Sequence, residues 1–351
     1  MNALESQLSY PFADTIPPLG EALAVAPGLF WLRMPLPFAL DHINLWLLAD
    51  EIDGRRGWSL IDTGAGTDAT RAAWEQLFSG AMADQPLLRL VATHCHPDHV
   101  GLSGWLCDRF EAPFWTSTGE FAFTRMMAAA LPGVDGPSAI PHFKKHGLVD
   151  AALLEQMQSR KNYYPSLVPS VPQAYTRLQD GQQVTIGGQA WRVITGFGHS
   201  PEHVSLYSQA LNVLLSGDMV LPRISTNVSV FAVEPEGNPL TLYLDSLDKF
   251  ADLPTDVLVL PAHGRPFRGL HTRIEQLRAH HAARLDEVRA ACTTEPRSAV
   301  DIVPIMFRRQ LDAHQLSFAV GEALAHLHTL WFDGILTRVT GNDGVIRFTS
   351  K

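Results

Sequence analysis

The sequence predicts an α/β sandwich of two sheets with helices outside, interrupted by a helical insertion and followed by a helix-rich C-terminal module. Three observations carry this prediction. Short apolar runs separated by Pro and Gly fall into two groups, before residue 119 and after residue 178, and read as two sets of strands. Segments of helical period lie among the strands of each group, as in a layered α/β domain. Residues 269–351 then change to longer helical periods and close on a hairpin signal.

In chain order, residues 1–27 are rich in Pro, Gly and Ala without a period and read as a loosely ordered extension lying on the main domain. From Gly28, LFWLRM, INLWLLAD and GWSLIDTG read as successive strands. Thr67 to Phe78 reads as an amphipathic helix, followed by the strand LLRLVATH and a helix around Leu102–Phe110. Residues 119–178 hold helical pieces, EFAFTRMMAAAL and AALLEQMQSRKNYY, broken by Pro-rich turns, and form the insertion. Strands resume at QVTIGGQAWRVITG, VSLYS, NVLLSGD and DVLVLPAH, with a helix near Pro239–Phe250. Helices over Leu270–Ala291, Ser298–Arg309 and Phe318–Asp333 precede ILTRVTGNDGVIRFTS, two strands around Gly-Asn-Asp-Gly. Three helices closing on a hairpin give the outline of a winged helix. The expected organisation is an extension (1–27), a main domain (28–268, insertion about 119–178) and a winged-helix-like module (269–351).

Composition narrows the function classes. A chain of 351 residues, 46% hydrophobic and 18% charged, can bury one large domain and a smaller one. No basic run leads into an apolar signal, and no segment is apolar for eighteen residues, so neither export nor a membrane span is expected. Cys95, Cys107 and Cys292 are odd in number and in no CxxC spacing, which argues against a disulfide framework or a thiolate zinc knuckle and points to the cytoplasm. Net charge is -9, and residues 269–351 carry ten Lys and Arg against nine Asp and Glu. That balance provides no basic stripe for a phosphate backbone.

The chemistry concentrates in His94-Cys95-His96-Pro97-Asp98-His99, at the end of the apolar run LLRLVAT. In extended backbone, residues two apart face one way, so His94 and His96 can converge while Cys95 faces the other side. Pro97 ends the strand and lets Asp98 and His99 swing toward a second ion. His199, Asp218 and His263 each terminate a further apolar run, with Gly196, Gly198 and Gly264 permitting unusual backbone paths beside the histidines. A single such residue is usually a hydrogen-bonded structural group or a turn former. The seven together read as metal ligands, whereas His42, His203 and the six histidines after residue 270 take a structural or surface reading.

The pattern HxHxDH followed by a distant His, an Asp and a His resembles the metallo-β-lactamase fold superfamily and matches it at all seven positions, over roughly residues 28 to 268. The resemblance implies a four-layer αβ/βα sandwich. It further implies that His94, His96 and His199 bind one ion, that Asp98, His99 and His263 bind another, and that Asp218 bridges them. Asp62 of LIDTG also matches a recurring position and is implied to support the ligands.

Nitrogen and carboxylate donors without thiolate suit zinc, with manganese and iron also compatible. Two such ions about 3.5–4 Å apart share a water whose pKa falls from about 15.7 toward 7, which makes hydroxide the expected nucleophile. Two ions, two carboxylates and one hydroxide leave a charge of about +1, suited to an anionic substrate or a developing oxyanion. Asp98 is expected to orient the hydroxide and pass a proton to the leaving group.

Within the superfamily, a bridging Asp is similar to the thioesterases related to glyoxalase II and to the nucleases, not to the exported antibiotic-hydrolysing members. About 44 residues separate Asp218 from His263, too few for the extra domain of the dedicated nuclease branch. The C-terminal outline is similar to bacterial glyoxalase II-like hydrolases, some of whose relatives cleave single-stranded RNA. The leading expectation is thus hydrolysis of a small ester or thioester, although the tail lacks the Lys, Arg and Tyr cluster that grips glutathione in glyoxalase II. The alternative is a phosphodiesterase or endoribonuclease acting on single-stranded RNA, and a third class is a non-catalytic nucleic-acid binder. The insertion, with Met126, Met127, Tyr163 and Tyr164, reads as an apolar substrate lid or equally as packing helices. Arg223 and Asn227, close after Asp218, are candidates to bind a substrate carboxylate or carbonyl, or else form a surface turn. A homodimer is compatible with the sequence.

Overall fold

Alternation of apolar side chains along the strands decides the layering. The computed structural model describes residues 4–83, 85–159, 163–308, 310–311 and 313–351. One sheet holds β1 (Leu23–Ala26), β2 (Leu29–Pro35), β3 (His42–Ile52), β4 (Arg55–Ile61), β5 (Leu87–Val91), β6 (Phe114–Thr116) and β7 (Thr176–Arg177), adjacent in that order. Strands β1 to β4 pair antiparallel and β4 to β7 parallel. The other sheet contains β8 (Gln183–Ile186), β9 (Gln189–Gly196), β10 (His203–Ser208), β11 (Val213–Gly217) and β12 (Leu258–Pro261), in the order β12-β11-β10-β9-β8.

Alternate residues of each strand fill different layers. Leu29, Trp31, Trp46 and Leu48 of the first sheet meet Trp191, Val193, Val204 and Leu206 of the second. On the first sheet's other face, Leu32, Leu45 and Leu47 meet Trp74 and Leu77 of α1 (Asp68–Ser79) and Leu106 of α3 (Ser103–Phe110). On the second sheet's other face, Leu214 and Val259 meet Tyr243 and Leu247 of α8 (Pro239–Leu247). The architecture is therefore the expected helix–sheet–sheet–helix sandwich.

Five strands deliver their C-terminal ends to one rim of this sandwich. β4 and β5 are parallel, as are β11 and β12, and β9 runs with β11 because both are antiparallel to β10. Asp62, the His94–His99 loop, His199, Asp218 and His263 follow β4, β5, β9, β11 and β12 respectively. Strands fix the direction and the loops supply the exposed donors.

The C-terminal helices α9 (Leu270–Thr294), α10 (Ala299–Met306) and α11 (Ala313–Phe332) precede the hairpin of β13 (Leu336–Thr340) and β14 (Ile346–Ser350). Leu277, Ile302, Val320 and Leu324 join the same core as Leu214 and Tyr243, so this module shares its interior with the second sheet's helical layer. Val230 N–H also donates to Gly321 O at 3.1 Å, tying α11 to the loop after Asp218. Among the described residues, no helix is long and apolar enough to cross a membrane.

Some expectations are corrected. The segment read as a loose N-terminal extension contains β1, Leu8 is buried in the core, and Ser9 exchanges two backbone hydrogen bonds with Arg268 at 3.2 and 2.8 Å. Residues 1–3 of that segment lie outside the described residues. The strand before the HxHxDH motif ends at Val91, and Pro97 opens a one-turn helix, α2 (Pro97–Val100), where its missing N–H costs nothing. The insertion holds α4 (Thr118–Ala128), α5 (Gly136–Lys145), α6 (Ala151–Gln158) and α7 (Tyr163–Leu167), of which α5 was not expected. Residues 160–162 of the expected Ala151–Tyr164 helix, and Arg309, the expected end of another, lie outside the described residues.

Candidate metal centre

The seven donors meet. His94 Nε2 lies 2.8 Å from His96 Nδ1 and 3.1 Å from His199 Nε2, and His199 Nε2 lies 3.4 Å from Asp218 Oδ2. Beside this group, Asp98 Oδ2 lies 3.3 Å from His263 Nε2 and 3.6 Å from His99 Nε2. Asp218 faces both groups, with Oδ2 also 3.7 Å from His99 Nε2 and Oδ1 3.5 Å from His263 Nε2. The backbone is shaped for this: Gly217 has φ +50°, and a Cβ there would stand 2.4 Å from His203 Nε2.

Each inward-facing Nε2 is oriented from behind. Nδ1 of His199 lies 2.8 Å from Asn227 O, Nδ1 of His263 lies 2.8 Å from His42 O, and Nδ1 of His99 lies 2.8 Å from Asp62 Oδ2. Thr93 Oγ1 donates to Asp62 Oδ2 at 2.8 Å, which leaves its oxygen to accept His94 Nδ1 at 3.1 Å. In a neutral ring those partners favour the proton on Nδ1 and a lone pair toward the site, the tautomer that suits metal ligation. Asp62 occupies the left-handed region, φ +61°, and its other oxygen accepts Thr93 N–H at 2.7 Å.

The donor set fits a metal. Ring nitrogens and carboxylate oxygens crowd together, and His99 Nε2 and Asp218 Oδ1 are buried without a hydrogen-bond partner. Ligand atoms 2.0–2.1 Å from a tetrahedral ion lie roughly 3.3 Å apart, within the spread of the distances above. The field agrees. Burial opposes charge on His99, but Asp98, Asp62 and Asp218 outweigh it and push its pKa up to about 9. His263 is raised likewise against burial, chiefly by Asp218. Burial also opposes ionisation of Asp98, yet His99 and His263 hold it at about 2. His96, half-buried, falls to about 3 through desolvation and the neighbouring His199. The three carboxylates thus favour a cation at the second group, while burial holds His94 and His96 as neutral imidazole.

Two family descriptions match the chain. "Metallo-beta-lactamase superfamily" matches residues 40–263, and "Metallo-beta-lactamase-like, C-terminal domain" matches residues 285–351. The chain belongs to the metallo-beta-lactamase superfamily. It is a metal-dependent hydrolase of that superfamily, with histidine and aspartate clusters suited to divalent ions. It is similar to a beta-lactamase domain protein from Burkholderia ambifaria, with 57% identity, a TM-score of 0.95 and complete coverage of both chains. Bacillus subtilis YqjP, a probable metallo-hydrolase, is 25% identical over 87% of this chain and 93% of its own. The acyl-coenzyme A thioesterase MBLAC2 of Gallus gallus is 29% identical over 55% of this chain and 63% of its own.

The remaining predicted residues of this superfamily member lie elsewhere or act differently. Tyr164 is buried and donates its hydroxyl to Cys95 O, and Tyr163 and Met127 pack against the first sheet's outer core. Tyr164 is therefore fixed in the fold, with Tyr163 and Met127 half-buried beside that core. Asn227 supports His199 with its carbonyl and turns its side chain to Glu322 and Ser229, at 3.4 and 2.9 Å, because its loop runs against α11. Arg223 is exposed, 3.9 Å from Glu5. Sequence reasoning missed His42, whose Nε2 accepts Gly264 N–H at 3.0 Å, and His203, which is fully buried and accepts Asp218 N–H at 3.1 Å. It also missed Thr93 and Glu120, whose partners lie far along the chain and leave no local pattern.

Proposed function

We propose that the chain hydrolyses an ester or thioester of a small anionic or acyl-bearing substrate at a centre of two divalent ions, with zinc the metal of best fit. The observation that carries this reading is the Asp218 carboxylate, which turns Oδ2 toward His199 and Oδ1 toward His263. His94, His96, His199 and Asp218 would hold one ion, and Asp98, His99, His263 and Asp218 the other. Bound there, the ions would polarise a carbonyl and lower the pKa of water toward 7. Asp98, at 14% side-chain exposure, is the more accessible of the two carboxylates and is placed to accept a proton and return it to the leaving group. Asp62, His42 and Asn227 keep the three Nδ1 positions occupied. The thioesterase relative supports an acyl substrate, and three free, buried cysteines suit a reducing compartment.

A screen of acyl thioesters, lactones, phosphodiesters and single-stranded RNA tests this. The expected result is ester or thioester turnover, lost in chelator and restored by zinc. Asp98→Asn should lower turnover roughly 10²–10⁴-fold in protein that retains both ions. Cleavage of RNA or phosphodiesters with no ester turnover would replace this reading by the nuclease alternative.

A further inference from the structure

The insertion meets the metal centre through a carboxylate with no part in the proton transfers above. Glu120, in the first turn of α4, is 1% exposed. Its Oε2 accepts Cys95 N–H at 2.7 Å, and its Oε1 accepts Ser200 Oγ–H and Glu202 N–H, both at 2.6 Å. Cys95 stands between the donors His94 and His96, and Ser200 follows the donor His199. One side chain from α4 therefore joins a loop leaving the first sheet to a loop leaving the second.

Neighbouring bonds reinforce the join. Ser117 Oγ donates to Glu202 O at 2.7 Å, and Gly119 N–H donates to Glu202 Oε2 at 2.9 Å. Tyr164 donates its hydroxyl to Cys95 O, so the insertion holds both polar backbone groups of the residue between His94 and His96. Three donors converge on Glu120, which an ionised carboxylate can satisfy entirely by accepting. A glutamine offers one acceptor oxygen and would point N–H groups at donors. Charge-assisted bonds of this number offset part of the cost of burying the carboxylate, whose pKa burial still pushes up.

We infer that Glu120 is a positioning residue for the three-histidine group, setting the separation of the His94–His96 pair from His199. The inference rests on the metal-centre reading and deepens it. The other group is oriented by Asp62 and His42, neither of which is among the partners of Glu120. The effect of Glu120 should therefore fall on one of two metal equivalents.

Zinc titration of the full chain against a chromophoric chelator tests this in wild type, Glu120→Gln, His94→Ala and the double variant. Glu120→Gln should weaken one equivalent by about 10–100-fold and leave the other within about threefold. In His94→Ala, where that equivalent is already lost, adding Glu120→Gln should change the remaining one by less than about threefold. Two equivalents of unchanged affinity in Glu120→Gln would overturn the inference, as would equal weakening of both. If Glu120→Gln does not fold, Glu120→Asp keeps the charge but is too short to span both loops, and unchanged binding there would overturn it equally. A wild type that binds fewer than two equivalents would instead overturn the metal-centre reading itself.

Discussion

Asp62→Asn tests how the second group of donors is oriented. Asp62 Oδ2 accepts the ring proton of His99 at 2.8 Å and Thr93 Oγ1–H at 2.8 Å, while Oδ1 accepts Thr93 N–H at 2.7 Å. Asparagine keeps the shape, and its oxygen can serve the backbone N–H. Its NH2 then faces two donors. His99 relieves that clash by moving its proton to Nε2, the atom that must face the metal. The bond lost is charge-assisted and buried, worth about 1.5–3 kcal/mol, in line with the roughly 10–100-fold loss of metal affinity seen when such a partner is removed. The assay is chelator competition on wild type and variant at one pH, with folding checked by circular dichroism. One zinc equivalent should weaken by that factor. Affinity unchanged within about twofold would refute the claim that Asp62 sets the His99 tautomer.

Other consequences concern stability. Asp50 is buried with Arg89 at 2.9 Å and also accepts Ser59 Oγ–H at 2.5 Å and Gly187 N–H at 2.8 Å, linking the two sheets. Asp50→Ala leaves the Arg89 charge unpaired and should cost about 3–5 kcal/mol in urea unfolding; a cost below about 1 kcal/mol would count against the buried pair. His142 and His146 are held neutral by burial, with pKa values lowered to about 4 and about 3. The unfolded chain then binds more protons than the folded one below about pH 6.5, so their contribution is complete above that value and falls on acidification by up to about 1.4 kcal/mol per pH unit each. Thermal unfolding should show a smaller drop between pH 7 and 5 for His146→Gln than for wild type, and identical drops would exclude this origin.

The donor cluster was legible in the sequence because each donor lies just beyond the C-terminal end of a strand and four of them share one short motif. The sheets were legible for a related reason, since runs such as LFWLRM and NVLLSGD alternate between two buried faces. What escaped reading works through contacts that leave no local signature. His42 and Asn227 orient metal-site histidines with backbone carbonyls, which any residue possesses. Glu120 acts on residues 25 and 80 or more positions away. Tyr163 and Met127 lie at spacings that fit a lid and a packing helix alike, and in the fold both are half-buried against the first sheet's outer core. Helix α5 was hidden by Pro137 and Pro141, which read as turn signals although Pro137 sits in the first turn, where proline is tolerated. Strand β1 has four residues and follows Pro-rich sequence, too short for alternation to register.

The most direct test of the central claim is anomalous scattering at the zinc edge from crystals of zinc-loaded protein. Two peaks about 3.5–4 Å apart, one against His94, His96 and His199 and one against Asp98, His99 and His263, with the Asp218 carboxylate between them, are the predicted result. A single peak, or peaks away from these side chains, would contradict it.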